Sequence, residues 1–347
     1  MLNILPSIPF QGDGIIIFEK EVTEWMTSYL EIRRFRDDQI IWVSRNHLQL
    51  NQLHDEIIHR VISVSVKHTE EKLGSLPCPF TFFMMGSAGR FEQSVWSDQD
   101  HGIIYQQHGT EINDYFLALG KEIAQGLQLA GYDYCDGDVM ASNSLWCKSL
   151  SEWRQQLVSW SNNSNWDGIR HLLIFIDGRS LYGEPSILEK LKIEVYQTIH
   201  KENLFKKVLN NTLYLKKGIG VLGQILVETH GPHTGYLNIK EKALFPYVNA
   251  IRLLALKGNI HETSTLLRLE KLSEMELPSI KRELYKQQFL KLLNFRLSLS
   301  KPDNYENSHY LPISTLSKKQ KEDVKEILKN GAALYRYVRN LIEKEDD

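Results

Sequence analysis

The apolar run Phe80–Met85 (FTFFMM) leads directly into Gly86-Ser87-Ala88-Gly89-Arg90, and Asp98-Gln99-Asp100 follows just before a second apolar run, His101–Tyr105 (HGIIY). This stretch restricts the fold more than any other. Pro77 and Pro79 break the helix ahead of it, and the aromatic content of FTFFMM predicts a buried strand. Two glycines three apart let the backbone turn sharply and approach a ligand closely. Ser87 adds a hydroxyl, and Arg90 a fork of donors suited to phosphate oxygens. Residues two apart on a strand face the same side, which sets Asp98 beside Asp100. Paired carboxylates repel each other unless a cation lies between them. Mg²⁺ is a hard ion that takes oxygen ligands and substrate phosphates together. Strand, Gly-Ser turn, spacer and Asp-x-Asp therefore predict metal-assisted phosphoryl or nucleotidyl transfer. The stretch lacks both the Gly-Lys-Ser/Thr ending of a Walker A loop and the G-x-G-x-x-G dinucleotide fingerprint.

Around this stretch the chain changes character. Residues 17–75 read as helical, with Leu53, Ile57, Val61 and Val64 on one face. Residues 111–130 read as a helix stopped by Gly131, and His171–Ile176 (HLLIFI) as another buried strand. Beyond residue 190 long amphipathic segments dominate: Leu204–Leu215, Leu244–Leu256, Thr263–Leu272, Ile280–Leu299 and Lys318–Ile342. Asp303–Ser314 is polar and reads as a loop. The expectation is an α+β chain in three parts: a helical lead segment (1–75), a small sheet domain (76–190) and an all-α domain (191–347).

Composition narrows the function classes. The 347 residues carry 41 Lys plus Arg against 43 Asp plus Glu, for a net charge of −2. That balance argues against a nucleic-acid binder, so an anionic ligand has to be met at a local site. Cys78, Cys135 and Cys147 are odd in number and lack zinc-knuckle spacing, which predicts free thiols in a reducing compartment. The start of the sequence has no basic n-region, and no apolar run reaches the length of a membrane span. A cytoplasmic protein is expected.

GSAGRFEQ…SDQDHGIIY resembles the nucleotidyltransferase signature of the DNA polymerase β superfamily. More closely, it is similar to the nucleotidyltransferase family related to the bacterial PII-protein uridylyltransferase. The likeness continues through Tyr134–Cys147, Ile174–Gly183 and the segments GYLNIKEKALFPYVNAIRLLAL and STLLRLEKL, which resemble that family's C-terminal substrate-binding domain. Members often carry CBS and cyclic-nucleotide-binding modules, which are not expected here. The resemblance implies a polymerase-β-type sheet followed by a helical bundle. It implies that Asp98 and Asp100 hold Mg²⁺ or Mn²⁺, with Asp177, on a neighbouring strand, as the third carboxylate. Gly86, Ser87, Gly89, Arg90, Arg179 and Lys240 would bind a nucleoside triphosphate. The acceptor would be a hydroxyl, on a partner protein or on a small molecule, and a homo-oligomer is compatible with this reading.

Other features read more plainly. Asp136 and Asp138 rival Asp177, but Gly137 between them predicts a turn. GIGVLG (Gly218–Gly223) follows a helical segment and not a strand, so it is read as a chance match. Trp146, Trp153, Trp160 and Trp166 read as a helical core stripe. Lys216, Lys217, Lys242 and Arg252 read as surface charge that could reach phosphates across an interdomain cleft. Two alternatives remain open in the sequence: a non-catalytic nucleotide-binding module, and an antitoxin-like nucleotidyltransferase.

Overall fold

The computed structural model describes residues 29–163, 165–298 and 304–344. Residues 17–28 of the expected lead segment, together with 301–303, lie outside them. The described lead segment is two helices, α1 (Tyr29–Val43) and α2 (His47–Leu73). The Asn46 side chain caps α2 by accepting from the Leu48 and Gln49 N–H groups. Gly74, at φ +89°, ends it ahead of the prolines.

Strands β1 (Phe80–Met84) and β2 (His101–Tyr105) form where the apolar runs predict them. Between them lie a one-turn helix, α3 (Gly86–Gly89), and the loop that carries Asp98 and Asp100. There follow α4 (Thr110–Leu129), β3 (Cys147–Ser149), α5 (Leu150–Asn163), α6 (Trp166–Ile176), β4 (Arg179–Gly183) and α7 (Pro185–Lys201). The sheet order is β3-β2-β1-β4. Strand β1 is antiparallel to both β2 and β4, and β2 is parallel to β3. Strand alternation divides the core in two. Phe80, Phe82, Met84, Ile103 and Tyr105 pack against α1, α2 and α4. Phe83, Met85 and Ile104 pack on the opposite face, against Trp146, Trp153 and the helices that follow.

The second half contains α8 (Phe205–Asn211), β5 (Tyr236–Asn238), and a π-helical turn (Lys240–Leu244) that runs into α9 (Phe245–Lys257). Then come α10 (Thr265–Lys271), α11 (Ser279–Ser298), β6 (Tyr310–Pro312) and α12 (Lys318–Glu343). The mixed α and β class holds: a small four-stranded sheet, flanked by helices and followed by a helical region. No described helix is long and apolar enough to cross a membrane.

Three expectations change. HLLIFI is the last part of helix α6, not a strand. The Asn165 side chain accepts from Gly168 N at 2.7 Å and starts the helix, and Ile169, Leu172, Leu173 and Ile176 are buried at three- and four-residue spacing. The segment expected to be helical to Leu215 stops at Asn211. The expected loop contains a 3₁₀ turn (Glu306–His309) and β6, which pairs antiparallel with β5 and adds a two-stranded ribbon to the helical half. Residue 190, the expected seam, lies inside the continuous helix α7, and one apolar core runs from the sheet into the C-terminal helices.

Candidate active site

The turn after β1 is built around Asp100. Met85 N donates to the Asp100 carbonyl at 2.8 Å, which ties the strand end to the second acid. Gly86 sits at φ +54°, and a Cβ there would lie 2.0 Å from Asp100 Oδ2. Only glycine allows this carboxylate to stand against the turn. Asp98 forms a single bridge to Asp133, which aligns the following loop, Tyr134–Val139, beside the pair. Cys135, in that loop, donates from Sγ to Asp100 Oδ1 at 3.3 Å. Ligand atoms of Asp98, Asp100 and Cys135 all lie within 4.8 Å of one another, and all three residues are half-buried.

The electrostatics follow from this crowding. Burial, reinforced by the Asp98 charge, pushes Asp100 up to about 7. Burial also raises Asp98, opposed by Lys240 and by a hydrogen bond from Tyr305. The Cys135 thiol is pushed up to about 12 by burial and by Asp100, so it stays protonated and donates. Asp98 Oδ1 is buried without a hydrogen-bond partner. A buried carboxylate oxygen left without a partner is costly, and a divalent cation held between the two acids would satisfy it.

The other expected residues are placed unequally. Lys240, from the second half of the chain, comes to the acidic pair. Its Nζ donates to the Tyr305 hydroxyl at 3.0 Å and lies 3.2 Å from His309 Nε2, and its charge acts on both Asp98 and Asp100. Ser87 remains half-buried in α3 beside Gly86. Gly89 packs elsewhere: a Cβ there would lie 2.1 Å from the Asp177 carbonyl oxygen.

Asp177 does not join the pair. It caps the end of α6 and is 1% exposed. It accepts from Arg90 Nη1 at 2.7 Å, Arg252 Nη2 at 2.5 Å and Arg268 Nη1 at 2.8 Å. Burial alone would raise its pKa, but the three guanidinium charges outweigh that and hold the carboxyl well below the usual range. A carboxylate so enclosed has no oxygen to offer a metal. Because α6 replaces the expected strand, Asp177 closes a helix and does not project from the sheet edge. Arg90 is correspondingly engaged, through Nε to Glu92 at 2.8 Å and through Nη1 to Asp177. Arg179 makes a bidentate pair with Asp55 of α2, at 2.7 and 2.9 Å, and lies 3.9 Å over the Phe91 ring. Arg90 and Arg179 thus brace the loop after α3 from behind.

Sequence reasoning missed Cys135 as a neighbour of the pair. Its motif, Tyr134–Asp138, drew attention to Asp136 and Asp138, which are exposed, with Asp138 at φ +52° in the turn. It also missed Tyr305 and His309, which sit in the segment read as a loop. Arg252 was read as surface charge but is buried on Asp177. Lys216 and Lys242 pair with Glu241 and Glu228. Trp146, Trp153 and Trp160 fill the core as a stripe, whereas Trp166 is 48% exposed, beside Tyr214. Gly218–Gly223 forms an irregular turn whose tip, Val221 and Leu222, is exposed, with no strand leading into it.

Comparison with known families matches the two halves separately. Residues 39–167 match the model described as "Putative nucleotidyltransferase DUF294". Residues 202–342 match the one described as "Putative nucleotidyltransferase substrate binding domain". Asp98, Asp100 and Cys135 lie inside the first span and Lys240 inside the second, while Asp177 lies between the two. No curated protein matches the chain.

Proposed function

We propose that the chain, whose two halves match the models for a putative nucleotidyltransferase and for its substrate-binding domain, moves a nucleoside monophosphate from a triphosphate to a hydroxyl, releasing pyrophosphate. The observation that carries this reading is the cluster Asp98, Asp100 and Cys135, with Asp98 Oδ1 buried and unpartnered. These residues fit a divalent ion, Mg²⁺ or Mn²⁺, which when bound would neutralise phosphate charge and lower the pKa of the attacking hydroxyl. Asp98 and Asp100 would supply the hard oxygen ligands, with Cys135 at their side.

The remaining roles belong to the chain's own groups. Gly86 and Ser87, at the turn beside the pair, would bind triphosphate oxygens. Lys240 brings a positive charge from the second half and binds phosphate as a point charge. Arg90, Arg252 and Arg268 are engaged with Asp177, whereas the Lys240 charge acts on both acids of the pair. A protein hydroxyl as acceptor is inferred by analogy with the PII-protein uridylyltransferase, which the sequence resembles.

One observation favours a second reading. A thiol, not a third carboxylate, completes the cluster, which suits a nucleotide-binding module with little turnover. A pyrophosphate-release assay with each of the four nucleoside triphosphates separates the two. Mg²⁺- or Mn²⁺-dependent release by the wild type, lost in Asp98→Asn, supports transfer. Metal-dependent nucleotide binding with no release on any acceptor supports the module.

A further inference from the structure

Tyr305 is placed as an acceptor would be. Its hydroxyl donates to the Asp98 carboxylate and accepts from Lys240 Nζ at 3.0 Å. Lys240 Nζ also lies 5.2 Å from the centre of the tyrosine ring, and His309 stands edge-on to that ring with centroids 4.6 Å apart. Tyr305 leads into the 3₁₀ turn Glu306–His309. Ser308 donates to the Tyr305 carbonyl through both its backbone N, at 3.1 Å, and its Oγ, at 2.6 Å. The turn then enters β6, which is paired with β5 just ahead of Lys240. Ring, turn and lysine are therefore fixed relative to one another.

Other buried tyrosines of this chain place their hydroxyls on backbone carbonyls or on side chains away from the acidic pair, as Tyr247 does on Ile327 at 2.9 Å, Tyr196 on Ile260 at 2.8 Å and Tyr29 on the Glu122 carboxylate at 2.8 Å. Tyr305 is instead half-buried and gives its proton to a carboxylate of the acidic cluster. A hydroxyl that attacks phosphorus needs these surroundings: a carboxylate to orient the O–H, a cation beside the oxygen, and adjacency to the group that holds the triphosphate.

We propose that Tyr305 is a nucleotidyl acceptor, and that the chain attaches a nucleoside monophosphate to its own Tyr305. This rests on the transfer reading above. Tyr305 Oη attacks the α-phosphorus of the triphosphate, forming an Oη–P bond. The bond from that phosphorus to the oxygen bridging the β-phosphate breaks, and pyrophosphate leaves with the bridging oxygen and its electron pair. The phenolic proton passes to solvent. The product is a tyrosyl phosphodiester, and because Tyr305 offers one hydroxyl the reaction stops at one nucleotide per chain.

The test uses the full chain with each nucleoside triphosphate and Mg²⁺ or Mn²⁺. Binding is read by thermal shift, pyrophosphate by release, and the adduct by intact and fragment mass. The expected result is one nucleoside monophosphate per chain, located on Tyr305. Its rate constant is independent of protein concentration, and it is absent from Tyr305→Phe and Asp100→Asn. Metal-dependent binding and pyrophosphate release with Tyr305 unmodified in the wild type overturn the proposal and leave the transfer reading standing. An adduct on another residue does the same. Absence of any metal-dependent nucleotide binding overturns both.

Discussion

Asp98, Asp100 and Asp177 are all withdrawn from bulk water, yet their surroundings drive their charges in opposite directions. Asp177 is held ionised by Arg90, Arg252 and Arg268, whereas burial makes Asp98 and Asp100 reluctant to ionise, and the Asp98 charge adds to the effect on Asp100. Removing the Asp177 charge takes the paired carboxylate from buried Arg252 and Arg268 and leaves Arg90 to Glu92. Asp177→Asn is therefore expected to destabilise the fold by about 3–5 kcal/mol, read from denaturant or thermal unfolding; unchanged stability would refute the bracing role. The sign of the pH response differs as well. Asp177, with its lowered pKa, contributes stability above its unfolded value, which is lost only as the solution turns strongly acid. Asp100 keeps its proton from the ordinary value of 3.8 up to about 7, so without metal its contribution falls as pH rises through that window. A proton and a metal compete for the same oxygens. Divalent-ion affinity is thus expected to tighten from pH 6 to 8, by up to about tenfold per unit below the Asp100 value; a flat titration profile would contradict it. Asp98 and Asp100 were legible in the sequence because their spacing alone pairs them. The partners of Asp177 were not, because Arg252 and Arg268 meet it only through tertiary packing.

At the scale of elements, the apolar runs before and after the Gly-Ser turn set β1 and β2, and their register brings Met84 opposite His101. HLLIFI misled because a short apolar run fits a buried helix as well as a buried strand. The signal that settles it is Asn165, a helix cap four residues before Ile169. The consequence reaches the site, since Asp177 becomes a helix end. Within α3 the two glycines do different work. Gly86→Ala forces a Cβ against Asp100 at a positive φ, and is expected to weaken metal binding by at least about tenfold, on the scale of losses caused by displacing a ligand's support. Calorimetric titration of the folded variant checks this; wild-type affinity would mean that Gly86 does not shape the cluster. The ribbon β5–β6 was invisible in the sequence because each strand is only three residues long and neither alternates clearly.

Across the whole molecule, the two family spans meet in one core and one ionic cluster. Arg252 on α9 and Arg268 on α10 reach back to Asp177, and Arg296 Nη1 on α11 donates to the Glu92 carbonyl at 2.7 Å. With that much shared interior, the chain is expected to unfold in a single calorimetric transition; two resolved transitions would show that the halves are independent. The two-part organisation was legible as a change from strand signals to helical periodicity. The depth of their union was not, because long-range ion pairs leave no periodic trace. The same union delivers Lys240 and Tyr305 to acids borne on the first half. We propose that Asp98 and Asp100, and not Asp177, form a metal-dependent centre. Mn²⁺ titration by electron paramagnetic resonance, on the wild type and on Asp100→Asn, tests it most directly. Saturable binding by the wild type is expected, and its loss in an Asp100→Asn variant that remains folded. Equal binding by the two proteins would contradict it.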